Sequence, residues 1–109
     1  MAFTRIKICG ITSVADARAV VASGADAIGL NFYARSPRVV TVDQALEIVA
    51  AVPPFVTVVG LFVDEPVAGI ERILRVTPLD VLQFHGEESP EVCQQFGRPW
   101  IKALRMVPG

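Results

Sequence analysis

The thiol of Cys9 stands out first, because it lies at the carboxyl end of a predicted strand. Ile6 and Ile8 alternate there with Arg5, Lys7 and Cys9, the period-two pattern of a strand with one apolar and one polar face. In α/β folds, chemistry is usually done at that end of the strands. Cys9 is therefore a candidate functional residue; the alternative is a small buried hydrophobic residue, the commonest fate of a free cysteine.

Polar side chains recur at or just beyond the ends of the other predicted strands: Asn31, Asp64, His85 and Arg105. Arg38 lies in the loop that follows the second strand. Several strand ends converge on one site at the active face of a barrel. The spacing of these residues therefore predicts one shared site.

Strand-like and helix-like segments alternate along the chain with no hairpin signal. The predicted strands span residues 5–9, 27–32, 56–63, 81–85 and 100–104. The predicted helices run from Val14 to Ser23, from Thr41 or Asp43 to about Ala51 and from Pro66 to about Val76, and a short helix begins at Ser89-Pro90. Helix capping by Thr12 or Ser13 is expected for the first.

This βα alternation predicts a parallel sheet, because crossover connections are right-handed and short. It is compatible with an open doubly wound sheet or with part of a (β/α)8 barrel. No Gly-x-Gly-x-x-Gly motif follows the first strand, which disfavours a dinucleotide-binding fold. We favour the barrel, and expect residues 1–109 to form a single partial barrel domain: four βα units and a fifth strand, incomplete at the carboxyl end.

Composition narrows the class of protein. The chain has 109 residues, a net charge of −1 and two cysteines. This charge provides no long-range field for nucleic acid or an anionic membrane, and no apolar run approaches the ~20 residues of a membrane span. Cys9 and Cys93 fit neither a metal spacing nor a disulfide framework. We expect a cytoplasmic protein without nucleic-acid or membrane partners.

Residues 7–12, Lys-Ile-Cys-Gly-Ile-Thr, resemble the amino-terminal signature of phosphoribosylanthranilate isomerase, the (β/α)8 enzyme of tryptophan biosynthesis. Three further stretches resemble the family in order and spacing: residues 29–33 with 36–38, residues 81–88 and residues 100–103. The resemblance covers nearly the whole chain. A complete barrel needs roughly 200–250 residues, so we expect the amino-terminal part of such an enzyme.

The resemblance implies an Amadori rearrangement of N-(5-phospho-β-D-ribosyl)anthranilate to 1-(2-carboxyphenylamino)-1-deoxyribulose 5-phosphate. A general acid opens the furanose ring to a Schiff base, and a general base then removes the proton at C2 of the sugar. No metal or organic cofactor is implied, because the substrate nitrogen is the electron sink. The resemblance assigns the base to Cys9, and places the catalytic aspartate and the phosphate-binding loops beyond this chain.

Most of the other candidate site residues have more than one possible role. Arg38 can grip the anthranilate carboxylate with two hydrogen bonds, or be a solvated loop residue. His85 can bind substrate or tune Cys9, or be satisfied by a backbone group. Lys7 can bind substrate or neutralise carboxylates inside the barrel. Asn31 is at most an orienting residue, and Cys93 is expected only to pack.

Two hypotheses on function follow. The first is an isomerase, or the half of one that supplies the base, and the second is a catalytically silent half-barrel. A flavodoxin-like module with a redox thiol is more remote. The first and fifth strands would be open edges. We therefore expect either a homodimer or pairing with a complementary carboxyl-terminal half.

Overall fold

Five parallel strands lie side by side in chain order. The computed structural model describes residues 5–103, and its strands pair in the order β1-β2-β3-β4-β5. They are β1 (Lys7–Ile8), β2 (Ala27–Asn31), β3 (Thr57–Phe62), β4 (Val81–Phe84) and β5 (Trp100–Lys102). A doubly wound sheet would place the first strand between later ones, so this order supports the barrel prediction and excludes the alternative.

Each crossover carries a helix with a recognisable start. The helices are α1 (Val14–Ala22), α2 (Val42–Ala50), α3 (Val67–Val76) and α4 (Pro90–Cys93), which continues into a 3₁₀ turn over Gln94–Phe96. Ser13 caps α1 and Ser89 caps α4, while Thr41 and Gln44 form a reciprocal capping box at α2. Side-chain oxygens here satisfy N–H groups that a helix leaves unpaired.

The predicted strands were too long at their ends. The first shrinks from residues 5–9 to Lys7–Ile8, because an edge strand has a neighbour on one side only. The third and fourth lose their terminal residues to the loops that carry Asp64 and His85. Leu104, the last residue of the fifth predicted strand, lies outside the described residues.

The sheet is strongly curved, as a contact between β1 and β4 demonstrates. Lys7 donates a hydrogen bond from its ammonium group to the side-chain carbonyl oxygen of Gln83. The pairing register places Gln83 three strands away from Lys7 and four residues further along. In a flat sheet their Cα atoms would be about 19 Å apart, more than the two extended side chains span. The face that carries both residues is therefore concave.

The helices cover the opposite, convex face. Its fully buried side chains are the apolar residues that alternate with the concave-face positions: Ile28, Leu30, Phe62, Leu82 and Phe84, with Ile48 and Ile70 from the helices. Four rings form a continuous ladder, Phe32 to Phe62 at 5.4 Å, Phe62 to Phe84 at 6.3 Å and Phe84 to Phe96 at 6.2 Å. This ladder fastens the last turn after α4 to the sheet.

Apolar side chains stay exposed towards both sheet edges. Ile6 and Ile8 are 47% and 37% exposed near β1, and Ile101 is 49% exposed on β5. Both edge strands thus keep unpaired backbone groups next to apolar surface. Within the described part of the chain, no helix combines the length and apolarity needed to cross a bilayer.

Phe84→Ala should lower the free energy of unfolding by about 3–5 kcal/mol, because it removes a fully buried ring and leaves a cavity. The matched control is Phe55→Ala, since Phe55 is 99% exposed; its effect should stay within about 0.5 kcal/mol. Denaturant unfolding followed by circular dichroism measures both. Equal effects of the two substitutions would contradict the assignment of Phe84 to the buried core between sheet and helices.

Candidate active site

Cys9 lies directly after β1, exposed, at the carboxyl end of the sheet. Its side chain packs over Gly29 of the neighbouring strand: a Cβ atom added at Gly29 would be 3.0 Å from the sulfur and 3.1 Å from the Cα of Cys9. Any larger residue at position 29 would have to displace the thiol. Gly29 belongs to the same concave face as Asn31, so the thiol faces that side.

Arg38 lies against the turn that follows Cys9. Gly10 has φ +78°, a conformation that favours glycine. A Cβ atom added there would be 2.6 Å from Cδ and 2.9 Å from Nη1 of Arg38. The bare backbone of Gly10 therefore allows the arginine side chain to lie against the residue that follows Cys9.

The loop that carries Arg38 is fastened by Asn31. The Asn31 side chain donates to the hydroxyl of Ser36 at 3.2 Å and accepts from the Tyr33 N–H at 2.8 Å. Ser36 in turn accepts from the backbone N–H of Arg38 at 3.1 Å. These contacts fit the orienting role considered for Asn31.

Lys7 and His85 meet at a residue that the sequence interpretation missed. Gln83 accepts a hydrogen bond from Lys7, and its amide nitrogen lies 2.6 Å from Nε2 of His85. A signal for it existed, because Gln83 and His85 share the concave-face parity of the fourth strand. Lys7 is thus hydrogen-bonded to a carboxamide, a contact that the sequence interpretation does not include; its roles toward substrate or carboxylates stay predictions.

A second polar cluster joins the loops after β3 and β4 to β5. Lys102 donates to the carbonyl of Gly86 and to Glu88, the latter at 2.7 Å. Asp64, at φ +50°, donates its N–H to Glu88 at 2.8 Å and accepts from the N–H of Glu87 at 2.7 Å. The segment immediately after His85 is therefore held from two sides.

Glu88 is the charged centre of this cluster, with a side chain only 4% exposed. Burial acts to raise the pKa of its carboxyl group, but hydrogen bonds from Lys102 and from the N–H groups of Asp64 and Glu88 outweigh it. The pKa is therefore lowered from its ordinary value of 4.5. The carboxylate stays ionised and paired.

The remaining candidates lie elsewhere. Cys93 is fully buried beneath the sheet, where burial raises the pKa of its thiol, in keeping with the packing role. Arg105 lies outside the described residues. Among residues 5–103, no group of three or more histidine, cysteine, aspartate or glutamate side chains could hold a metal ion.

The structure thus places the four predicted site residues in two pairs. The Arg38 side chain lies against Gly10, the residue after Cys9, and Lys7 and His85 share Gln83 on the concave wall. A thiol, a guanidinium and an imidazole at the carboxyl ends of parallel strands can exchange a proton with, and bind, an anionic small molecule.

This curved wall, with polar side chains at the carboxyl ends of its strands, defines the class: an amino-terminal half of a (β/α)8-barrel enzyme. The family model of N-(5'-phosphoribosyl)anthranilate isomerase matches residues 6–107. The chain belongs to this family.

Similar proteins match over about half of their own length. The isomerase of Pseudomonas putida strain GB-1 is 57% identical over 109 residues, which are 100% of this chain and 53% of that protein. A phosphoribosyl anthranilate isomerase in complex with reduced 1-(o-carboxyphenylamino)-1-deoxyribulose 5-phosphate has a TM-score of 0.87 and 41% identity, covering 92% of this chain and 53% of its own. Monomers of a dimeric phosphoribosylanthranilate isomerase from Thermotoga maritima have a TM-score of 0.85 and 37% identity, covering 92% and 52%.

Glu88→Gln should destabilise the fold at neutral pH by about 2 kcal/mol, because Lys102 loses a charged partner. The folded pKa of Glu88 is lowered, so its contribution is full above 4.5 and is lost as the pH falls through the folded value. The difference from wild type should shrink in acid. Denaturant unfolding at neutral and strongly acidic pH measures this.

The control for this prediction is Glu91→Gln, which removes an exposed carboxylate at the start of α4. It should change stability by less than about 0.5 kcal/mol. A pH-independent loss in Glu88→Gln would contradict the charge-based role.

Proposed function

We propose that this chain is a single partial barrel domain that supplies the amino-terminal half of phosphoribosylanthranilate isomerase. The reaction is the Amadori rearrangement of N-(5-phospho-β-D-ribosyl)anthranilate in tryptophan biosynthesis. The observation that carries the proposal is that the Arg38 side chain lies against Gly10, the residue directly after Cys9, at the carboxyl end of β1. It brings an anion-binding group to the residue that follows the proposed base.

Cys9 is the general base in this proposal. Once the furanose ring has opened to the Schiff base, the thiolate takes the proton from C2 of the sugar. The electrons move towards the substrate nitrogen, and the resulting enolamine tautomerises to the ketone. The exposed sulfur and the absence of a side chain on Gly29 leave the sugar access to it. No metal or organic cofactor takes part.

Arg38 binds the anthranilate carboxylate. A guanidinium matches a carboxylate with two parallel hydrogen bonds, and the Asn31–Ser36 contacts hold its backbone in place. The carboxylate anchors the aromatic ring while the reacting sugar carbons extend towards Cys9. Orientation of this kind lowers the barrier by removing the entropy of approach.

His85 hydrogen-bonds the substrate at the end of β4, and Lys7 contributes positive charge to the same wall. Both are anchored through Gln83. The phosphorylated substrate carries two kinds of anion, so cationic side chains on the wall favour its binding. The general acid and the phosphate-binding loops belong to the carboxyl-terminal half.

A catalytically silent half-barrel is the second candidate, and the exposed apolar edges favour it. Ile6, Ile8 and Ile101 lie where a complete barrel would add further strands and helices. We propose that these edges pair with a complementary carboxyl-terminal half or with a second copy of the chain. Both cysteines are free, which fits the cytoplasmic location that we predict.

Neither half alone should turn over substrate, whereas a mixture should. The complementary chain is the carboxyl-terminal half of the P. putida isomerase, and the readout is the fluorescence of anthranilate derivatives. Missing general acid catalysis alone removes about 10²–10⁴ in rate, and loss of the phosphate anchor adds to this. A well-folded mixture without turnover would contradict the proposed function.

Cys9→Ser in the active mixture should keep the circular dichroism spectrum and lower kcat by at least about 10², because a hydroxyl is a far poorer base. Cys93→Ala, which alters the buried thiol, is the matched control and should keep turnover. Near-wild-type kcat in Cys9→Ser would remove Cys9 from the mechanism. Turnover by this chain alone would instead require an acid within it, with Asp64 the first to test.

Arg38→Ala should lower kcat/KM by about 10- to 150-fold, the loss of a charge-assisted hydrogen bond worth roughly 1.5–3 kcal/mol. The loss should appear mainly in KM. Arg35→Ala removes an exposed arginine from the same loop and should leave both constants unchanged. Equal effects of the two substitutions would indicate only a general attraction of anions.

A further inference from the structure

Gln83 is the most enclosed polar group on the concave wall. It lies within β4 and is 8% exposed. A buried carboxamide has one acceptor and two donor hydrogens, and leaving either end unpaired costs free energy. Its two neighbours, Lys7 and His85, occupy opposite ends of the amide. Their chemistry determines which way the amide points.

Lys7 determines the orientation of the amide. A lysine ammonium group has three donors and no acceptor. The Gln83 atom that faces Lys7 must therefore be the carbonyl oxygen, as the structure has it. The NH₂ group then faces His85, with 2.6 Å between the two nitrogens.

The amide in turn selects the protonation state of His85. An amide nitrogen can only donate, so Nε2 of His85 must accept and carry no hydrogen. We propose that Gln83 is a positioning residue that holds His85 as the neutral imidazole with its hydrogen on Nδ1. Lys7 contributes to this by orienting the side-chain amide of Gln83.

The contacts of Lys7 and Gln83 determine which hydrogen bonds His85 can make. With Nε2 engaged as an acceptor, the ring donates through Nδ1 only. Towards the substrate, His85 is then a hydrogen-bond donor through Nδ1 and not a proton source at Nε2. This role rests on the function proposed above. The tautomer itself does not depend on that function.

The chain offers a direct measurement, because His85 is its single histidine. In a sample labelled with ¹⁵N-histidine, the two ring resonances belong to His85 alone. Their chemical shifts distinguish a protonated from an unprotonated nitrogen. At mildly alkaline pH we expect one tautomer, with hydrogen on Nδ1. Hydrogen on Nε2, or a rapidly exchanging mixture, would overturn the proposal.

Gln83→Glu tests the cause, because a carboxylate can only accept where the amide donated. The hydrogen should move to Nε2, and the pattern of the two resonances should reverse. Gln95→Glu adds the same charge at an exposed position and should leave the tautomer unchanged. An unchanged tautomer in Gln83→Glu would overturn the proposal.

Lys7→Met is a second variant, useful if Gln83→Glu loses the dispersed amide spectrum of a folded chain. Without the ammonium group the side-chain amide of Gln83 can rotate by half a turn, so a mixture of His85 tautomers is expected. A single Nδ1-protonated form would refute the role of Lys7. Turnover of the two-chain mixture is recorded separately. A wrong tautomer with normal turnover counts against Gln83 alone, and the expected tautomer without turnover counts against the isomerase function alone.

Discussion

Curvature is the constraint on which the other features of this chain depend. Strands that pair in chain order, each followed by a helix on the same side, bury one sheet face and bend the other into a concave wall. The hydrogen bond between Lys7 and Gln83 exists only because of this bend. The same bend brings the ends of successive strands towards one another, so that loops far apart in sequence share one site.

The polar groups of the concave wall and of the loops that follow its strands stabilise the structure only as sets. On the concave wall, Lys7 has Gln83 and Gln83 has His85. In the loop cluster, Glu88 has Lys102 together with backbone N–H groups. Removing one member leaves a partner buried and unpaired, which costs more than the pair contributes to stability. These clusters therefore hold the loops at the carboxyl ends of the strands in fixed positions, as a site for small molecules requires.

Two glycines allow the site to be as compact as it is. Gly29 lets the sulfur of Cys9 lie on the neighbouring strand, and Gly10 lets the Arg38 side chain lie against the residue that follows Cys9. Under the proposed function, the base and the anthranilate-binding group come from this half, and the acid and phosphate anchor come from the other. Under such a division the exposed edges of the sheet are needed for catalysis, because pairing them with the other half brings the base and the acid into one site.

The alternation of strands and helices and the parallel sheet follow from the amino-acid sequence alone. So do the positions of Cys9, Asn31, Asp64 and His85 at strand ends. Period-two and helical patterns are local, so they can be recognised without knowledge of the fold. Family membership also followed from short motifs. Three contacts emerge only in the folded chain: Lys7 meets Gln83, Arg38 lies over Gly10 and Glu88 pairs with Lys102. These contacts depend on how strongly the sheet bends and how its loops pack, and long-range geometry of that kind is not encoded in any local pattern.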